Sequence, residues 1–190
     1  MTVRDSLFSR IGWRRILRAV LHALAAGAAL CTVSVTVFAA PRTAALLDCA
    51  VIDDNAQYSE SAAAQAEQAR AAMISERLRS QVDGRGLYKV ADNRPAASLI
   101  DGFKAAQDLN ACNGCELEIG RRLGVQRVGV CWVQKVSNLI LNINLRIEDT
   151  ASGQVLFQRS VDMRGNTDQS WRRGADALVG LLAADPDAAH

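Results

Sequence analysis

Histidine is almost absent from this sequence: the 190 residues include two, His22 and His190. His22 lies in an apolar run near the amino terminus and His190 is the last residue, so no imidazole lies between them. Catalysis by Ser-His-Asp or Cys-His pairs needs an imidazole base, and many metal sites need an imidazole ligand. The sequence therefore excludes these chemistries from the interior of the chain.

Phosphate-binding glycine motifs are missing as well. The sequence contains neither G-x-x-x-x-G-K-S/T nor a G-x-G-x-x-G that opens a helix, so nothing supports nucleotide binding. Acidic residues such as Asp48, Asp53 and Asp101 fall mostly at predicted strand and helix ends, where solvation is their usual reason. We therefore expect no catalytic residue, no metal and no cofactor, and the sequence favours a non-enzymatic protein.

The amino-terminal region has the pattern of a secretory signal. Five arginines among the first 18 residues precede an apolar run from Ala19 to Ala40, which ends in small residues. We predict a signal peptide over residues 1–39, a single α/β domain over residues 40–184 and a frayed tail over residues 185–190. The alternative is an uncleaved anchor, because a run of about 22 residues is long enough to span a bilayer.

Export changes the charge of the remaining chain. Residues 1–39 hold five of the 22 basic and one of the 20 acidic residues, so 17 and 19 remain, and the net charge becomes −2. A global basic field that would favour nucleic acid is then lacking. We expect no nucleic-acid partner, and a membrane contact only through the signal segment if it stays uncleaved.

Hydrophobic periodicity predicts the element order β-α-β-α-α-β-β-β-α. The predicted strands are Thr43–Asp54, which is buried, Leu87–Asp92, about Val125 to Val136, Leu139 to Asp149 and Val155 to Gly165. The predicted helices are Ser59–Val82, capped by Ser59, a helix opened by Pro95, a helix from the C-x-x-C to Gly124, and a final helix from Thr167 to Ala184, capped by Asn166. Apolar and polar residues alternate in the last two strands, with Leu139 on the buried face. This pattern favours an antiparallel meander with one solvent-exposed face. We predict a two-layer sandwich of a mixed five-stranded sheet with helices mainly on one face.

Cys112 and Cys115 form the only C-x-x-C, at the predicted start of a helix. A helix amino terminus stabilises a thiolate, so a thiol-disulfide redox protein that uses this pair is the alternative function. Three features weigh against redox activity: the pair follows a helix rather than a strand, no proline lies beside it, and Cys115 shares a face with Ile119 and Leu123. An exported protein meets an oxidising compartment, and a structural disulfide is the favoured interpretation.

Cys49 and Cys131 are the other cysteines of the exported chain. They form a possible second pair if the first and third strands are neighbours, and two separate buried thiols are equally reasonable. The spacing of Cys112, Cys115 and Cys131 also matches three ligands of a zinc site, but position 134, where a fourth cysteine is expected, holds Gln134.

A partner-binding surface is expected on the polar side of the hairpin, because asparagine disfavours strands and several asparagines occur there. The candidate residues are Lys135, Asn138, Asn142, Asn144, Arg164, Arg172 and Arg173. A wet sheet face with solvated arginines is the simpler interpretation of the same residues.

The element order, together with the Asp149–Gly153 turn "DTASG", resembles the TolB amino-terminal and CsgG-like group of bacterial envelope domains. The segments "CNGC", "WVQKVSNLILN" and "RGNTDQSWRRG" resemble an uncharacterised family of secreted proteobacterial proteins, a domain of unknown function. The resemblance implies a periplasmic or secreted domain and transfers no catalytic residue. On fold analogy we predict an envelope accessory or protein-binding module, whose partner is an envelope protein.

Overall fold

The computed structural model describes residues 42–186, which form one mixed β-sheet flanked by helices. The predicted signal segment and the end of the predicted tail lie outside the described residues. The strands are β1 (Thr43–Leu46), β2 (Ala50–Asp53), β3 (Lys89–Val90), β4 (Arg127–Lys135), β5 (Ile140–Asp149) and β6 (Val155–Arg164). The helices are α1 (Ser61–Gly84), α2 (Ala97–Ala106), α3 (Cys115–Leu123) and α4 (Asp168–Ala184). The α/β class and the mixed sheet are therefore confirmed.

The sheet runs in the order β3-β1-β4-β5-β6, and β2 also pairs with β4. Strands β1 and β2 are both parallel to β4, whereas β4, β5 and β6 form an antiparallel meander. The meander is the part of the topology that the alternating sequence predicted.

The first predicted strand is divided in two. β1 pairs with the beginning of β4 and β2 with its end, and Leu47–Cys49 interrupt them. At the break, the amide of Cys49 donates to Ser75 Oγ of α1 at 2.8 Å instead of to the sheet. The described residues thus contain six strands instead of the predicted five.

The main core lies between the sheet and the two long helices. Ile74 and Leu78 of α1 and Trp171 and Leu178 of α4 pack there against the odd-numbered residues of β5, Leu141 to Ile147. These residues are four or seven positions apart within each helix, which is the helical periodicity from which both helices were predicted.

A smaller core lies on the opposite face of the sheet. Ile100 of α2 and Ile119 of α3 pack with Cys112, Cys115 and the even-numbered Val128 and Val130 of β4. The long helices share one face as expected, and the two short helices cover the β1–β4 half of the other face. The β5–β6 half of that second face stays open.

Three local predictions were wrong. Ser59 does not cap α1, because its hydroxyl donates to Asp53 Oδ2 at 2.6 Å and the helix begins at Ser61. Thr167, not Asn166, caps α4, and its side chain accepts from the amide of Ser170. Leu139 precedes β5 in an exposed turn instead of lying on the buried face.

No helix among residues 42–186 combines the length and the apolar character that a membrane span needs.

Candidate functional site

The C-x-x-C lies in the smaller core. Cys112 precedes α3, Cys115 is its first residue, and the two sulfur atoms are at disulfide-bonding distance. Both side chains are buried, and Gln107 Nε2 donates to Cys112 Sγ at 2.9 Å and lies 3.5 Å from Cys115 Sγ. A thiolate of a partner protein would have to displace Gln107 and part of this core to reach either sulfur atom.

The other two cysteines meet across the sheet. Cys49, in the break between β1 and β2, lies beside Cys131 of β4 with a Cα–Cα distance of 4.3 Å and the sulfur atoms at bonding distance. The sequence left this pairing open because it depends on which strands are neighbours.

Lys135 does not lie on the predicted partner-binding surface. It is in phase with Cys131 and Val133, so its side chain points toward α1 and is 6% exposed. Its Nζ lies 3.0 Å from Asp53 Oδ2 and 2.7 Å from Glu67 Oε1.

The ion pairs of Lys135 also perturb its proton affinity and that of Asp53. Burial is the largest single effect on Lys135 and lowers its pKa, but the hydrogen bonds and charges of Glu67 and Asp53 outweigh it and raise the pKa overall. The hydrogen bond from Ser59 is the main cause of the lowered pKa of Asp53. Lys135 therefore stays protonated and has a structural role inside the domain.

Hydrogen bonds connect Glu67, the partner of Lys135, to the start of α4. Asn166 Nδ2 donates to Glu67 Oε1 at 2.6 Å, and Trp171 Nε1 donates to Asn166 Oδ1 at 2.9 Å. Arg70 also donates to Asn166 Oδ1, at 3.3 Å. The sequence suggested a cap at Asn166, and nothing in its local pattern indicated this network.

Asn142 and Asn144 lie on the open part of the second face. Asn144 Nδ2 donates to Asn142 Oδ1 at 2.6 Å, and both side chains are half-buried. Asn138 lies in the turn between β4 and β5, where Asn166 Nδ2 is 3.4 Å from its Oδ1. The asparagines thus fall in two places, and Asn138 is separate from the strand pair.

The three predicted arginines also separate. Arg164 and Arg173 line one groove between the end of β6 and the first turns of α4, with a volume of about 430 Å³. Arg172 points the other way, toward α1, where its Nε lies 3.0 Å from Met73 Sδ. The structure therefore brings two of the seven predicted residues together at one groove.

The groove has an apolar floor and a polar rim. Val161, Met163 and Gly174 form part of its floor, and Thr167, Gln169 and Ser170 of the α4 start form part of its rim. A Cβ at Gly174 would lie 2.7 Å from Met163 Sδ, so the lack of a side chain at this position allows α4 to lie close to β6.

Strand β6 borders this groove and ends the sheet. It contains ten residues and pairs on one side with β5, and within the described sheet no strand pairs with its other side. An unpaired strand of this length presents backbone N–H and C=O groups to any extended segment beside it. The opposite edge strand, β3, has only two residues.

A buried charge cluster lies beneath α3. Arg146 Nη2 is 3.2 Å from Glu116 Oε1 and its Nε is 2.9 Å from Glu148 Oε1, and all three side chains are largely buried. Burial, reinforced by the charge of Glu116 and opposed by Arg146, raises the pKa of Glu148 to about 7. Glu148 therefore gains a proton close to neutral pH.

Across residues 42–186, no group of three or more His, Cys, Asp or Glu side chains is arranged to hold a metal ion.

The chain belongs to the DUF3280 family, whose description reads "Protein of unknown function (DUF2380)" and whose model matches residues 42–181. No curated protein matches the sequence.

Several solved structures are similar to part of this chain. The LpoB C-terminal domain from Salmonella enterica is 12% identical over 68% of this chain and 87% of its own, with a TM-score of 0.48. Lipoprotein GNA1162 from Neisseria meningitidis is 14% identical over 77% and 99%, with a TM-score of 0.46. TolB from Acinetobacter baumannii is 12% identical over 76% and 30%, with a TM-score of 0.41. Similarity at this level carries no implication for function.

Proposed function

We propose that this chain is an exported envelope protein that binds an extended segment of a protein partner along β6, in the groove beside α4. One observation carries the proposal: a ten-residue open strand borders a groove that two arginines line. This mode of binding uses backbone pairing and charge and requires no catalytic residue.

The backbone of β6 supplies affinity in this mode of binding. A segment that adds as a further strand exchanges main-chain hydrogen bonds with the edge, and alternate side chains enter the neighbouring groove. Main-chain hydrogen bonds at the edge of β6 do not depend on the sequence of the partner, so the side chains of the groove must supply specificity.

The arginines select the partner. Among residues 42–186, Arg164 and Arg173 form no ion pair, whereas the groove contains a single carboxylate, that of Asp162. An acidic side chain or a terminal carboxylate would form charge-assisted hydrogen bonds with these guanidinium groups. The partner segment is therefore extended and acidic.

Export is supported by the signal-like residues 1–39 and by the two cysteine pairs. Intact mass of the protein recovered from envelope and periplasmic fractions tests it. We expect a mature chain that begins at Ala40 and loses four hydrogen masses relative to the reduced chain. A cytoplasmic, fully reduced protein with residues 1–39 attached would contradict export.

Site-specific crosslinking tests the groove. A photoreactive amino acid at Gln169, on the rim, should capture a partner in cells, and the same amino acid at Arg172 should capture much less. The captured partner is then purified and its affinity measured with Arg173→Glu and with Arg172→Glu, which changes the neighbouring residue by the same charge.

We expect Arg173→Glu to weaken binding tenfold or more, and Arg172→Glu to change it less than twofold. Hydrogen exchange of β6 amides should slow when the partner binds. Equal effects of the two variants, or unchanged exchange in β6, would contradict strand addition at this edge.

The alternative function, thiol-disulfide exchange by Cys112 and Cys115, has no observation in its favour in the structure, since both sulfur atoms are buried beneath Gln107. Titration of the pair against glutathione decides it. A potential below about −300 mV marks a structural disulfide, whereas a value near those of periplasmic oxidants would replace our proposal.

A further inference from the structure

A second cavity, independent of the β6–α4 groove, lies at the end of the sheet where β1 and β4 begin. Its volume is about 600 Å³, and Arg42, Arg121, Arg127 and Asp149 line it together with Thr150. Arg42 precedes β1, Arg121 lies in the last turn of α3 and Arg127 opens β4. Three separate segments thus bring guanidinium groups to one cavity.

The positive charge of this cavity is only partly balanced. Arg127 Nη1 pairs with Asp149 Oδ2 and donates to the carbonyl of Gln126 at 3.0 Å. Within residues 42–186, neither Arg42 nor Arg121 forms an ion pair. Three guanidinium groups therefore face one carboxylate.

The carboxylate of Asp149 already accepts hydrogen bonds from the turn between β5 and β6. Asp149 Oδ1 accepts from the amides of Ala151 and Ser152 and from the Ser152 hydroxyl. The hydrogen bonds from Ser152 are the main cause of the lowered pKa of Asp149. Asp149 thus stays ionised to hold the β5–β6 turn and Arg127, and it leaves Arg42 and Arg121 unbalanced.

We infer that this cavity binds a phosphate group. A planar guanidinium donates two parallel hydrogen bonds to phosphate oxygens, and the two unbalanced guanidinium groups, Arg42 and Arg121, match the charge of about −1.5 to −2 that a phosphate group carries near neutral pH. The group belongs either to a soluble phosphate compound or to a phospholipid headgroup.

Calorimetric titration of the purified full chain with inorganic pyrophosphate tests the inference. The variant Arg121→Gln removes one cavity arginine, and Arg122→Gln is its matched control, because Arg122 is the next residue of the same helix, is exposed and does not line the cavity. Arg42→Gln is a second cavity variant outside any helix or strand. The melting temperatures of all variants should stay within about 2 °C of the parent protein, because these side chains are exposed.

We expect saturable binding of pyrophosphate that weakens fivefold or more in Arg121→Gln and in Arg42→Gln, and changes less than twofold in Arg122→Gln. Equal weakening in Arg122→Gln, or no saturable binding of pyrophosphate together with no preference for anionic vesicles, would overturn the site.

Vesicles distinguish the two sources of phosphate. The same proteins are mixed with vesicles of phosphatidylcholine alone and with vesicles that contain phosphatidylglycerol. A gain in binding with phosphatidylglycerol that Arg121→Gln abolishes and Arg122→Gln retains identifies a lipid headgroup. Pyrophosphate binding without that gain identifies a soluble phosphate ligand.

Discussion

At the scale of single residues, the direction of one side chain separates a structural role from a binding role. Lys135 has the charge and the position in the sequence of a surface contact, yet it forms ion pairs with Asp53 and Glu67 inside the domain. All three side chains are less than 10% exposed, so removal of one leaves buried charge uncompensated.

Lys135→Met should therefore destabilise the protein by about 3–5 kcal/mol. Lys104→Met is the control, because Lys104 is exposed and lies 3.8 Å from Asp48, and it should change stability by less than about 1 kcal/mol. Urea denaturation of both variants measures the difference. A loss at Lys135 no greater than that at Lys104 would contradict the structural role.

Glu148 provides a second prediction at this scale. Its pKa is about 7 in the folded protein, above the ordinary value of 4.5, because the side chain is buried near Glu116. Between these two values the folded state binds more protons than the unfolded state, so the free energy of unfolding falls as pH rises from about 4.5 to 7.

The variant Glu148→Gln should reduce this slope, and Glu118→Gln, an exposed change in the same region, should leave it unaltered. Thermal unfolding from pH 5 to pH 8 measures the slope. The same pH dependence in Glu148→Gln and the parent protein would show that another group titrates.

At the scale of elements, the contact between α3 and the sheet depends on a missing side chain. A Cβ at Gly120 would lie 2.8 Å from Thr150 Cγ2 and 3.3 Å from Val128 Cβ, and both neighbours have stiff, β-branched side chains. Gly102 in α2 has no atom within 4 Å of the same position.

Substitution by alanine should therefore change the free energy of unfolding in opposite directions at Gly120 and Gly102. Gly120→Ala should destabilise by about 1–3 kcal/mol through overpacking, although alanine favours helix. Gly102→Ala should stabilise by up to about 1 kcal/mol, because only helix propensity changes there. Stabilisation by Gly120→Ala in chemical denaturation would mean that α3 moves away from β4 at little cost.

At the scale of the whole molecule, the two cysteine pairs constrain very different lengths of chain. Cys49 and Cys131 are 82 residues apart, and Cys112 and Cys115 are three residues apart. Loop-closure entropy gives about 4–5 kcal/mol for the long loop and about 2 kcal/mol for the short one.

The double variant Cys49→Ala/Cys131→Ala should accordingly lower the free energy of unfolding more than Cys112→Ala/Cys115→Ala. Denaturation of both double variants and of the oxidised parent protein measures the two losses. Equal losses would indicate that the long disulfide does not form or that the unfolded chain retains structure near it.

The sequence predicted much of the fold and little of the site. The meander, the buried stripes of α1 and α4 and the end of α3 at Gly124 follow from periodicity and from glycine within a few residues. The seven residues predicted to bind a partner were assigned to one surface, and the structure distributes them over several places. For Lys135 a signal existed, since it is in phase with Cys131 and Val133, but β4 is apolar on both faces and its alternation is weak.

The sequence by itself determined which segments form helices and strands, because side-chain periodicity and turn residues act over a few positions. Only the tertiary structure decided that Cys49 lies beside Cys131, that Arg173 joins Arg164 while Arg172 does not, and that Arg42, Arg121 and Arg127 share one cavity. Those proximities depend on strand order and on how each helix is rotated against the sheet. Both are set by packing between residues that are distant in the chain, and no local pattern encodes them.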